Sequence, residues 1–257
     1  MQIREIIEKF EEKHPLHLQE KWDNGGIQVG NKNDEIKNIL CVLEITEESI
    51  DYAIQNDCNL IISHHPIIFP NVNNIQFDDF KGKKIIKAIK NDICIYASHT
   101  ASDVSGFNEF LFEKMGYKSE GKIIPTEEKY GYGSIATFEH SLKEIVSNIK
   151  TGFGLDKVTF YNANNDIKKI GFVSGSGMDF INEAISLGVD LYVTGDVTHH
   201  DAMDTLEKGC SILDISHEGS ERLFADFIES FLLEEKLPEK VQIFKYYNDE
   251  KYLPKII

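Results

Sequence analysis

The sequence predicts an α/β protein built as two halves of similar plan. Two observations predict it. Short, continuously apolar runs alternate with amphipathic helical stretches along the whole chain, the pattern of a parallel sheet covered on both faces. A polar stretch at residues 117–130, with Gly121 and Pro125, interrupts that rhythm once. The expected units are therefore residues 1–125 and 126–257, and 257 residues at 41% hydrophobic content suffice for two small cores.

Ile3, Ile6, Ile7 and Phe10 recur at helical spacing and open the chain with an amphipathic helix. Trp22-Asp23-Asn24-Gly25-Gly26 reads as a turn. Strands are expected at Ile36–Ile45, Asn59–Ser63 and Ile93–Ala97. Helices are expected at Thr46–Asp57 with Thr46 as N-cap, at Lys81–Asn91, and at Phe107–Met115, ended by Gly116. In the second half, Gly133–Phe138 is a strand and Ser141 with Glu144 forms a capping box. Strands follow at Val158–Tyr161, Ile170–Ser174, Leu191–Thr194, Ser211–Ile215 and Val241–Tyr246. Helices fill Met178–Leu187 and His200–Lys208, and a long one runs from about Ser220 to Glu235. No residue-level repeat between the halves is visible in the sequence.

Charge narrows the function classes. With 43 acidic and 27 basic side chains the net charge is −16, which argues against non-specific nucleic-acid binding because no net positive field releases phosphate counterions. The longest run free of Asp, Glu, Lys and Arg, Cys58–Phe77, contains His64, His65, Pro66 and Pro70, so no membrane span is expected. Arg4, Glu5 and Glu8 in the first helix exclude a signal peptide there. Four scattered cysteines without a C-x-x-C pair fit reduced thiols in a cytoplasmic protein.

Ligand-rich segments recur where strands end. Ser63-His64-His65-Pro66 follows one strand, in the position where such sheets place their ligands. Neighbouring side chains on an extended segment point apart, so one ion is not expected to take both without a bend, whereas two ions, each taking one histidine, need no such distortion. Alone, the pair also reads as surface histidines before a proline. His99 and Asp103 follow the next strand; taken alone, Asp103 reads as a helix cap. His217 and Glu221, four apart, share one face of a helix that starts near Ser216, where they could hold a divalent ion. Alone they also read as a surface histidine and a helix-start carboxylate. Asp196, His199, His200 and Asp201 form a further group that faces the site or its substrate, although Asp196 or Thr198 could simply cap the following helix. In Gly175-Ser176-Gly177 the third position of a dinucleotide fingerprint is occupied by Phe180, which weakens that reading.

In this order, Trp22–Gly30, Ser63-His64-His65-Pro66, His99-Thr100 with Asp103, Thr194-Gly195-Asp196 with His200, and His217 with Glu221 resemble the NGG-interacting-factor-three-like family, whose members are also called type-2 GTP cyclohydrolase I. The resemblance covers essentially the whole chain and lacks the long insertion some members carry between halves. It implies two α/β halves related as a duplication, a dinuclear metal site in the cleft between them, and a ring-shaped homohexamer. Carried across by motif, the metal ligands are His64, His65, Asp103, His217 and Glu221. Where the family has His-Thr-Asn-Leu-Asp this chain has His99-Thr100-Ala101-Ser102-Asp103, and Ser216 replaces the glycine before His217.

Three histidines and two carboxylates suit two divalent transition-metal ions, zinc, iron, manganese or nickel, better than magnesium or calcium. The implied activity is hydrolysis of a nucleotide or other anionic small molecule: ring opening of GTP by metal-activated water with release of formate, His99 or His200 carrying the proton. The alternative is a non-enzymatic protein that stores or delivers metal ions.

Overall fold

The computed structural model describes residues 1–127 and 129–247. The chain opens with α1 (Ile3–Lys13), which buries Ile3, Ile6, Ile7 and Phe10, the face its spacing predicts. The strand β1 (Gly26–Val29) follows, then β2 (Asn38–Val42), α2 (Glu47–Gln55), β3 (Cys58–Ser63), α3 (Phe80–Lys90), β4 (Cys94–Ala97) and the single turn α4 (Thr100–Ser102). Thr46 caps α2 as expected, its hydroxyl accepting from Ser49 N–H at 3.0 Å.

A π-turn over Asp103–Phe107 leads into α5 (Asn108–Lys114), the hairpin β5 (Ile124–Glu127) and β6 (Tyr130–Tyr132), β7 (Ser134–Thr137), α6 (Leu142–Phe153), β8 (Thr159–Tyr161) and β9 (Lys169–Phe172). A 3-10 turn over Gly177–Phe180 precedes α7 (Ile181–Ser186), β10 (Leu191–Thr194), α8 (His199–Glu207), β11 (Ser211–Asp214) and α9 (His217–Glu221). The chain ends its described course with α10 (Phe224–Glu234) and β12 (Ile243–Tyr246). The expected long helix is thus two, broken after Glu221. No helix among the described residues is long and apolar enough to cross a membrane.

Two compact units result, and their boundaries differ from the expected cut after residue 125. The first comprises Met1–Ser102 and the chain from Phe224 onward; the second is Asp103–Leu223. Strand pairing is the reason: β12 lies parallel to β2, with Ile243 opposite Ile39, so the C-terminal segment completes the first sheet. The stretch at 117–130 is not a linker; its β5–β6 hairpin belongs to the second unit.

The first sheet has the order β1-β4-β3-β2-β12, parallel except for β1 against β4. Its core gathers Leu40, Val42, Ile50, Ile61, Ile85 and Ile95. The second has the order β7-β9-β10-β11-β8, parallel in its three central strands and antiparallel at both edges. Its core includes Ile135, Val173, Ile181, Tyr192 and Ile212. Cys41, Cys58, Cys94 and Cys210 are buried free thiols. Burial pushes those of Cys58 and Cys210 up to about 12.

Both units contain one unit of topology. An antiparallel edge strand (β1, β8) is followed by three parallel strands (β2-β3-β4, β9-β10-β11), and it pairs with the last of them. The chain is therefore α/β with a duplicated half.

Candidate metal centre

In the first unit the ligand-rich loops leave the carboxyl ends of β2, β3 and β4. Strand β3 stops at Ser63 and the chain bends through His64 and His65. Their amides still donate to the next strand, to Val42 O and Leu43 O, each at 3.2 Å. The bend brings the rings together, with centroids 4.8 Å apart, where an extended segment would splay them. His99, just past β4, completes a cluster: one ring nitrogen each from His64, His65 and His99 lies within 4.8 Å of the others. His64 is fully buried and packs on Phe224, ring centroids 4.7 Å apart.

Each of the two partly exposed histidines is held from behind. Glu44 Oε1 lies 2.6 Å from His65 Nδ1, and Asp23 Oδ1 lies 3.0 Å from His99 Nδ1. Asp23 also accepts from the Thr100 amide at 3.0 Å and its hydroxyl at 2.5 Å. Burial alone would push this carboxyl up; the donors of His99 and Thr100 outweigh it and hold Asp23 well below the usual carboxylate range. The Trp22–Gly26 segment is pinned in turn: Asn24 Nδ2 donates to Ile68 O at 2.8 Å and Gly25 N–H to Gln19 Oε1 at 2.8 Å. Trp22 is left 57% exposed, its ring 5.8 Å from those of His99 and Phe69.

In the second unit, Asp103 does not cap a helix. It sits inside a helical stretch that begins at Thr100, buried, with its Oδ1 3.5 Å from the Ser174 hydroxyl. Asn108 braces it, donating to Asp103 O at 3.1 Å and accepting from Ser174 N–H at 2.9 Å. On α9, His217 Nε2 and Glu221 Oε2 are 3.1 Å apart, and Glu221 is buried. Asp196 Oδ2 holds His217 Nδ1 at 2.7 Å. Thr198, not Asp196, caps α8, accepting from Asp201 N–H at 3.2 Å. His200 stands exposed on the first turn of that helix, its ring 5.4 Å from that of His199. The Gly175 loop passes directly over Glu221 and so serves as a close backbone approach to that carboxylate.

The repeated topology exposes a repeat in the residues themselves. Past the last parallel strand of the first unit stands Ser98-His99-Thr100-Ala101-Ser102-Asp103; at the corresponding place in the second stands Ser216-His217-Glu218-Gly219-Ser220-Glu221. Serine, histidine, serine and an acid recur in step, so His99 corresponds to His217 and Asp103 to Glu221.

Residues 1–250 match the Duf34/NIF3 (NGG1p interacting factor 3) family. The chain belongs to that family. A Clostridium perfringens member named GTP cyclohydrolase 1 type 2 homolog is 39% identical over 229 residues, covering 86% of this chain and 87% of its own. A Helicobacter pylori member named GTP cyclohydrolase 1 type 2 is 30% identical over 234 residues, covering 90% and 91%. Among solved structures, a Staphylococcus aureus hypothetical protein superposes with a TM-score of 0.91 at 27% identity, over 100% of this chain and 99% of that one. A Bacillus cereus protein related to NIF3 has the same fold, with a TM-score of 0.90 at 24% identity and the same coverage.

The donors present fit a transition metal. Imidazoles outnumber carboxylates, the first-unit cluster gathers three of them, and the carboxylate behind His65 or His217 is the usual companion of a ligating histidine. Nothing in the sequence assigns Glu44 or Asp23 a role, although both lie beside strand ends at the edge where the histidines lie.

Proposed function

We propose that this NIF3-family chain is a metal-dependent hydrolase that opens the ring of GTP, holding two divalent ions with His64, His65, Asp103, His217 and Glu221. The observation that carries the reading is the convergence of imidazole donors in the first unit, each of the two outer ones backed by a carboxylate, with a third backed histidine beside the buried Glu221 in the other unit. The relatives' names point to GTP as the substrate. Bound there, zinc, iron, manganese or nickel ions would supply Lewis acidity and a water acidic enough to lose its proton near neutral pH.

The chain's own residues have separate tasks. His99, held at Nδ1 by Asp23, keeps Nε2 for proton transfer, and His200 on α8 is the other candidate proton carrier. Trp22, exposed and beside His99, offers a planar ring for a purine to stack on. The ions would also offset, locally, the −16 charge that repels an anionic nucleotide. The same reading includes assembly as a ring-shaped homohexamer in the cytoplasm, where four buried reduced thiols are at home.

The test loads the protein with zinc or manganese, confirms two ions per chain, and follows formate and a pterin product from GTP. Formate that disappears in His65→Ala supports the proposal. Phosphate without formate moves the reaction to phosphoester hydrolysis. Full loading without turnover favours storage or delivery of metal, and two ions retained in His65→Ala would remove His65 from the ligand set.

A further inference from the structure

Three histidines share one arrangement. His65, His99 and His217 each turn Nδ1 to a carboxylate oxygen, from Glu44 at 2.6 Å, Asp23 at 3.0 Å and Asp196 at 2.7 Å. The three acids arrive by unrelated routes: Glu44 lies just past β2, Asp23 precedes β1, and Asp196 follows β10 in a left-handed conformation with φ 54°. Asp196 adopts a backbone conformation that disfavours most residues, and there its carboxylate meets His217. Asp23 is no surface ion pair either, since its side chain is 0% exposed.

We infer that Glu44, Asp23 and Asp196 are positioning residues that fix the tautomer and orientation of these histidines. The inference rests on the metal-site reading for His65 and His217. An ionised carboxylate has no hydrogen to give, so each contact requires the proton on Nδ1. The lone pair of the neutral ring is then on Nε2, the atom left to bind a metal ion at His65 and His217 and to accept a proton at His99. At His217, Nε2 and Glu221 Oε2 stand 3.1 Å apart, two donor atoms turned to the one place that a metal ion would take. The buried Asp23, bonded to the amides of Asn24 and Thr100, the Thr100 hydroxyl and His99 Nδ1, grips its ring most firmly; Glu44 and Asp196, 45% and 53% exposed, are the ones open to substitution without upsetting the fold.

The experiment uses the full chain and two readouts. In metal-free protein at about pH 8, nitrogen-15 NMR of the imidazoles is expected to show Nδ1 protonated on His65, His99 and His217. Cobalt(II) binding is then measured by chelator competition and by its visible spectrum in Glu44→Gln, Glu44→Leu, Asp196→Asn and Asp196→Leu. The leucine variants are expected to bind about 10–100-fold more weakly, with an altered cobalt spectrum, while the amides, whose oxygen still accepts from Nδ1–H, recover most of the loss. Urea unfolding confirms that each variant is folded. Protonation at Nε2 in place of Nδ1 in the parent protein, or leucine variants that bind cobalt as tightly as the parent, would overturn the inference. A parent that binds no divalent ion would defeat the metal-site reading itself, and the NMR tautomers would still decide the role of the carboxylates.

Discussion

A Cβ atom at Gly175 would lie 2.3 Å from Glu221 Oε1, well inside contact distance. The backbone after β9 thus forms one wall of the pocket that holds this carboxylate, and only glycine leaves room for it. Gly175 also has φ +64°, which by itself disfavours a side chain. Gly175→Ala is expected to displace Glu221 and to lower metal loading measured by atomic emission. Gly154→Ala is the control: its φ is also +65°, but nothing lies within 4 Å of the added methyl. Both variants should lose about 1 kcal/mol or more from backbone strain, and only the first should lose metal.

Ser216 has φ 64° and ψ 158°, a region populated almost only by glycine. A glycine, which the family resemblance implies at this place, would sit there without strain. The serine is partly compensated by its hydroxyl, which accepts from Gly219 N–H at 3.1 Å and caps α9. Relief of strain is worth about 1–3 kcal/mol and the lost cap a few tenths, so Ser216→Gly should stabilise the protein by about 1 kcal/mol. A thermal melt is expected to rise by about 2–4 °C.

Asn108 is buried and joins the π-turn that carries Asp103 to the end of β9. Asn108→Leu would leave a buried carbonyl and a buried amide without that partner. The expected loss is about 2–4 kcal/mol in urea unfolding, together with weaker metal retention as Asp103 loosens. Unchanged stability would mean that the loop closes over the gap.

His14 is buried between Phe10 and Phe227, with ring centroids 4.7 and 5.0 Å away. Burial, with some help from the Lys13 charge, lowers it from 6.5 to about 4. The unfolded chain therefore takes the proton first as the pH falls. Stability should be constant above pH 6.5, decline between 6.5 and 4, and level off below, with up to about 3 kcal/mol lost through this group. His14→Leu should flatten that part of the curve; an unchanged slope would assign the transition to other groups.

Much of the fold was legible because local chemistry and tertiary packing agree. The apolar runs became the parallel strands, and Thr46 and Ser141 cap the helices they announce. Strand β1 was hidden by its preceding glycines and by its length of four residues, two of them outside the core. The hairpin at Ile124–Tyr132 was hidden by its polar surface, and the break after Glu221 by an apolar stripe continuing across Arg222 and Leu223. At the site, the histidines and acids announced themselves by clustering at strand ends. Their supporting carboxylates did not, because the pairs are 21, 76 and 21 residues apart in the chain and meet only through the sheets. The two serine–histidine–acid segments are not legible as a repeat in the sequence because only strand order puts them in correspondence.

The first unit is assembled from segments on both sides of the second, and this has a consequence for synthesis. As the polypeptide leaves the ribosome, the second unit is complete as soon as Leu223 has emerged, while the first still waits for α10 and β12. Until then β2 has β3 on one side and no partner on the other, a parallel edge of Ile39, Leu40 and Cys41 open to pairing with another nascent chain. The segment that closes the first sheet is thus translated after the whole second unit, and truncations that remove β12 should be lost to aggregation before any effect on chemistry can be seen.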